Sequence, residues 1–130
     1  MKIKLSSVYV DDQEKALRFY TEVLGFAKKS DFSNGTYRWL TVTSAEDPAG
    51  TELQLALNNN PAAAAYQQAI FQQNQPAANV FTDNLKTEYE SIKGRGAQFT
   101  MRPTDVQYAW IAMLKDTCGN LVQITQLKGW

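Results

Sequence analysis

The 130-residue chain predicts an α+β fold made of two similar halves, each ordered strand, helix, strand, strand, strand. Three pairs of landmarks carry that reading. Asp47-Pro-Ala-Gly-Thr-Glu-Leu-Gln-Leu55 returns as Asp116-Thr-Cys-Gly-Asn-Leu-Val-Gln-Ile124, which sets Gly119 on Gly50 and Gln123 on Gln54 at an offset of 69 (119 minus 50). Arg38-Trp-Leu-Thr-Val42 matches Ala109-Trp-Ile-Ala-Met113, and Gly25 matches Gly96, both 71 apart. Short matches arise by chance, so their shared order is what argues for an internal duplication.

Residues Ile3 to Val10 alternate, with Val8 and Val10 on one face of a strand and Leu5, Ser7 and Tyr9 on the other. Asp11 with Glu14 forms a candidate capping box, and Ala16, Leu17, Tyr20, Val23 and Leu24 then recur at helical spacing up to Gly25. Phe26 to Phe32 reads as a strand, Ser33-Asn34-Gly35 as a hairpin turn, and Thr36 to Thr43 as the returning strand. In each copied turn the Asp carboxylate is placed to bond backbone and the Gly to take a positive φ. The first such turn leads into a strand over Thr51 to Leu57.

Asn58 to Pro76 has no counterpart in the repeat. Asn60 before Pro61 starts a helix there, with Tyr66, Ile70 and Phe71 as its apolar face. The expected organisation is therefore one domain over 1–130, with modules 1–57 and 77–127 joined by a helical linker over 58–76. The second module repeats the order. It has a strand at Ala77 to Phe81, a helix capped by Asp83 with Leu85, Tyr89 and Ile92 on one face, and strands at Gln98 to Met101, Gln107 to Leu114 and Asn120 to Gln126.

Composition narrows the function classes. Thirteen basic and thirteen acidic residues cancel, leaving no general field toward phosphate backbones or anionic membranes, so neither nucleic acid nor membrane is expected as a partner. No apolar run approaches the ~20 residues of a bilayer span. The lone cysteine, Cys118, fits a reducing, cytoplasmic setting. There is no histidine, which removes every His-based triad and zinc motif.

The doubled order, the Ala16-Leu-Arg-Phe-Tyr-Thr-Glu-Val-Leu-Gly-Phe26 block and the Asp116-Thr-Cys-Gly-Asn120 turn together resemble the vicinal oxygen chelate superfamily of glyoxalases, extradiol dioxygenases and bleomycin-resistance proteins. The resemblance implies paired βαβββ modules curled into an open β-barrel around a cavity, commonly completed by a homodimer. It also implies metal-ligand positions on the first and last strand of each module. Those positions fall here on Leu5, Gln54, Ala77 and Gln123. Two are apolar and two are neutral amides, so no metal or other cofactor is expected.

Strand alternation aims Tyr9, Trp39, Gln54, Tyr108, Trp110 and Gln123 at the concave face, as candidate ligand-binding residues for a partly aromatic small molecule. The aromatics also fit a core or an interface, and the two glutamines a filled barrel. Asp11 and Asp12 read as helix caps, Asp116 and Gly119 as turn geometry. Three functions follow. One is a metal-independent binder similar to the bleomycin-resistance branch. The second is a lyase, isomerase or dioxygenase with a displaced or partner-supplied metal. The third is an interaction module without a cavity.

Overall fold

The computed structural model describes residues 1–129. Its first half runs β1 (Leu5–Val10), α1 (Gln13–Arg18, continued by a π-helical turn Phe19–Val23), β2 (Ala27–Asn34), β3 (Tyr37–Thr43) and β4 (Glu52–Leu57). After α2 (Pro61–Gln72), the second half repeats this as β5 (Ala78–Phe81), α3 (Leu85–Gly94), β6 (Phe99–Asp105), β7 (Ala109–Lys115) and β8 (Leu121–Leu127). The strands form two four-stranded sheets with matching orders, β1-β4-β3-β2 and β5-β8-β7-β6. In each, the first strand pairs in parallel with the last, because the helix between them carries the chain across. The chain divides into two compact units, Met1–Tyr66 and the part from Gln67 onward.

Within the first unit, Val8 and Val10 are buried while Leu5, Ser7 and Tyr9 are exposed, as the alternation predicts. The buried set with Leu40, Val42 and Leu55 forms the face backed by Ala16, Phe19 and Tyr20. The wider π turn, with the Leu24 N–H donating back to the Phe19 carbonyl at 3.1 Å, accompanies burial of both neighbouring rings, which meet edge to face at 5.4 Å. Arg38 ties the same side together. Its Nε and Nη2 reach the two Asp31 oxygens at 2.9 Å each, and Nη1 reaches Glu14 Oε2 at 2.9 Å. The Arg38 fork lowers the Asp31 pKa from its ordinary value, and Asp31 in turn raises that of Arg38.

Several elements differ from expectation in informative ways. The cap of α1 is Asp12, which accepts from the Lys15 N–H at 3.0 Å; Asp11 instead pairs with Lys15 Nζ at 3.6 Å, one residue outside the capping box. Asn84, not Asp83, caps α3 by accepting from the Thr87 N–H at 3.2 Å. The start of α2 is as expected, with Asn60 Oδ1 accepting from the Ala62 N–H at 2.9 Å. Its buried residue, however, is Gln67, whereas Tyr66 is exposed. β6 passes through Pro103, which a sheet edge tolerates: β6 is outermost, and its register with β7 shifts between Met101 and Thr104.

Gln67 is buried because it closes the second copied turn. Asp116 Oδ1 accepts from the Cys118 N–H at 2.7 Å and the Asn120 N–H at 3.0 Å, while Oδ2 accepts from Asn120 Nδ2 at 2.7 Å. Gln67 Nε2 donates to the Cys118 carbonyl at 3.0 Å and to Asn120 Oδ1 at 3.1 Å. Gly119 takes φ +99° there, as expected of the turn. Gly50 does not share that conformation; it lacks a side chain because a Cβ would run into the Asp47 carboxylate.

Candidate functional site

On the first sheet, the face turned away from α1 carries the polar and aromatic groups. Ser7 lies opposite Gln54, and Gln54 lies opposite Thr41, so these three share it. Alternation adds Tyr9 from β1, Glu52 from β4 and Trp39 and Thr43 from β3. Ser7 Oγ donates to Gln54 Oε1 at 2.8 Å. The Thr41 hydroxyl, itself buried, donates to Glu52 Oε1 at 2.7 Å and accepts from the Ser30 N–H at 3.1 Å. That last bond comes from the irregularity in β2 between Lys28 and Ser30, where the register against β3 shifts. Phe32 stacks on Trp39, with ring centroids 6.5 Å apart and planes 29° from parallel. Tyr9, Trp39 and Gln54 are thus brought to one face, as the sequence predicts.

The corresponding face of the second sheet is built differently. Gln123 lies opposite Asn79 and Met113, and Thr125 opposite Phe81 and Ile111. Gln123 Nε2 donates to Thr125 Oγ1 at 3.0 Å, and that hydroxyl donates to Asn79 Oδ1 at 2.8 Å. The three polar side chains therefore bond one another in a row. Among the described residues no carboxylate appears in this register, Leu121 standing where Glu52 does, and Ile111 and Met113 fill the places of Trp39 and Thr41.

Trp110 is not on that face. Its partner across the ladder is Gln126, whose Oε1 accepts from the Leu85 N–H at the start of α3 at 2.7 Å, so both point to the helix side. Lys128 Nζ sits 5.4 Å from the Trp110 ring centroid. Tyr108 precedes β7 and is 73% exposed. The expected Trp39–Trp110 correspondence fails by parity. Thr41 faces Gln54 and Met113 faces Gln123, an offset of 72 (113 minus 41) where the Trp match uses 71. A slip of one residue moves a side chain to the other face, and Ile111 takes the place of Trp39.

At the four positions implied for metal ligands, Leu5 lies opposite Glu52, and Ala77 precedes β5 with its N–H donating to the Leu121 carbonyl. Gln54 and Gln123 supply amides already bonded to neutral partners. Among the described residues, no three or more Asp, Glu, Cys or His side chains converge. Ser7, Thr41, Asn79 and Thr125 were missed by the sequence reading. Their face is legible from alternation, but their pairing requires the register, which a sequence does not display.

With two βαβββ units and these faces in place, the chain belongs to the Glyoxalase/Bleomycin resistance protein/Dioxygenase superfamily, whose family model matches residues 2–124. It is 47% identical over 126 residues to the uncharacterized protein YurT of Bacillus subtilis (strain 168), covering 97% of this chain and 99% of that protein. Among solved structures it is similar to UcmS2, with a TM-score of 0.84 at 26% identity, covering 96% of this chain and 97% of the other. It is also similar to TnmS3, an antibiotic binding protein from Streptomyces sp. CB03234, with a TM-score of 0.78 at 27% identity, covering 98% and 97%. No described helix is long and apolar enough to cross a membrane.

Proposed function

We propose that the protein captures a small, partly aromatic molecule without using a metal ion, on the sheet face that carries Tyr9, Trp39 and Gln54. The observation that carries this reading is the donor set at the superfamily's ligand positions. Leu5 and Ala77 have no side-chain donor atom, and the Gln54 and Gln123 amides are engaged with Ser7 and Thr125. A divalent ion held tightly needs anionic or imidazole ligands, and this set does not fit one. What the face offers instead is flat aromatic area beside fixed hydrogen-bonding groups, the usual make-up of a small-molecule site. The likeness to TnmS3, an antibiotic binding protein, supports binding over turnover. Gln123, Tyr108 and Trp110 stand outside this face: Gln123 bonds within its own row with Thr125 and Asn79, Tyr108 precedes β7, and Trp110 lies on the helix side of its sheet. A homodimer of cytoplasmic location completes the reading, with neither nucleic acid nor membrane as partner given the cancelled charge.

The test combines elemental analysis of the purified protein with titration of chelator-treated protein by a neutral planar probe, acridone, followed by tryptophan quenching. Saturable binding by metal-free protein, weakened about tenfold in W39A, is the expected result. Stoichiometric zinc, nickel, manganese or iron whose removal abolishes binding contradicts it.

A further inference from the structure

The first sheet's face contains one carboxylate, Glu52, that the reading above leaves unused. Glu52 is half-buried, and among the described residues no Lys or Arg forms an ion pair with it. On that face the Thr41 hydroxyl donates to its Oε1 at 2.7 Å. A half-buried anion without a cation is unfavourable unless something else fixes and satisfies it. Here the fixing runs through a short relay. The irregularity in β2 turns the Ser30 N–H onto Thr41 Oγ1 at 3.1 Å, which obliges that hydroxyl to spend its proton on Glu52 Oε1. The relay holds Oε1 and leaves Oε2 as an oriented acceptor. Irregular strand pairing that re-aims a polar group is a feature of binding faces.

The geometry points to a specific ligand class for the site proposed above, on which this inference rests: a planar aromatic molecule bearing a protonated nitrogen. Trp39 is two residues from Thr41 on β3, about 7 Å along the strand at roughly 3.4 Å per residue. A fused two- or three-ring plane lying on Trp39 and Phe32 therefore reaches the Glu52 carboxylate with a nitrogen on its edge. Charge complementarity selects that nitrogen as a cation, since among the described residues Glu52 is the one Asp, Glu, Lys or Arg side chain that the register of β1, β3 and β4 places on this face. An N⁺–H donated to it forms a charge-assisted bond. Gln54, held by Ser7, lies between the two ends and supplies a neutral donor.

The experiment compares two planar probes, cationic proflavine and neutral acridone, against wild type, E52Q and T41V. The glutamine keeps an oxygen for the Thr41 bond and removes the charge. Valine keeps the threonine shape and removes the relay. The expected result is that wild type binds proflavine about tenfold more tightly than acridone, as a charge-assisted hydrogen bond contributes. E52Q erases that preference by weakening proflavine binding more than acridone binding, and T41V reduces it in part. Binding of acridone with no preference for proflavine, or a preference that survives E52Q, overturns the assignment of Glu52 but leaves the binding reading standing. Failure of wild type to bind either probe overturns both. Thermal melts of both variants establish folding, and a variant that fails to fold is replaced by E52D, whose retracted carboxylate is expected to lower the proflavine preference alone.

Discussion

The two sheets share strand order and pairing, yet they treat polar groups on the face away from the helix in opposite ways. In the second sheet Gln123, Thr125 and Asn79 satisfy one another, with Met113 and Ile111 beside them. In the first, Ser7 and Thr41 each orient a larger side chain, Gln54 and Glu52, next to stacked Phe32 and Trp39. A duplicated fold thus keeps its backbone plan while one copy settles its polar groups internally and the other points them outward. The copied turns diverge in the reverse direction. Asp116 is fully buried and bonded to two backbone N–H groups and the Asn120 amide, whereas the Asp47 turn is exposed and bonds backbone to backbone, Gly50 N–H to the Asp47 carbonyl. The second unit is tied together where the first is open.

That contrast predicts its largest effect at the turns. D116A leaves buried donors at Cys118 and Asn120 without their acceptor and is expected to lower unfolding free energy by about 3 kcal/mol, while D47A changes it by less than about 0.5 kcal/mol. Urea denaturation of the two variants measures the difference. Next in size are the glycines. G119A meets both a φ of +99° and the Gln67 amide, 2.7 Å from the added Cβ, and is expected to cost about 2 kcal/mol. G50A meets the exposed Asp47 carboxylate, a side chain that can rotate away, and approaches the Asp47 carbonyl oxygen at 3.2 Å. With no positive φ to strain, it is expected to cost less than G119A, about 1 kcal/mol. On the binding side, W39A is expected to weaken acridone binding by about tenfold through lost stacking, whereas W110A, on the helix side of the other sheet, leaves it unchanged.

The smallest effect is the acid limb of stability. The Arg38 fork depresses the Asp31 pKa below the ordinary carboxylate range, so this pair stabilises the fold at pH above that range and the contribution is lost as pH falls through the folded pKa. D31N is expected to flatten the stability profile below pH about 4, in melts taken across pH. D105N, which breaks an exposed pair with Lys128, should flatten it less.

Much of the architecture is written in local pattern. Val8 and Val10 announce the buried side of β1, Asn60-Pro61 opens α2, and the spacing of Leu85, Tyr89 and Ile92 sets the buried face of α3. Each depends on neighbours in the chain. What the pattern hides depends on partners distant in sequence. Gln67 looks like a solvent-facing residue of a polar helix, and only its approach to Cys118 and Asn120, 51 and 53 positions away, makes it buried. The Ser7–Gln54 and Thr41–Glu52 bonds are equally invisible without the strand register. Trp110 shows the sharper failure. A local likeness to Trp39 suggests one face, and a one-residue difference in how the two ladders are joined places it on the other.

Hydrogen–deuterium exchange on metal-free protein, with and without saturating acridone, tests the central claim most directly, because it reports which sheet the ligand covers. Slowed exchange concentrated in Tyr37–Thr43 and Glu52–Leu57 is the predicted result. Protection confined to Ala109–Lys115 and Leu121–Leu127, with the first sheet unchanged, would contradict it.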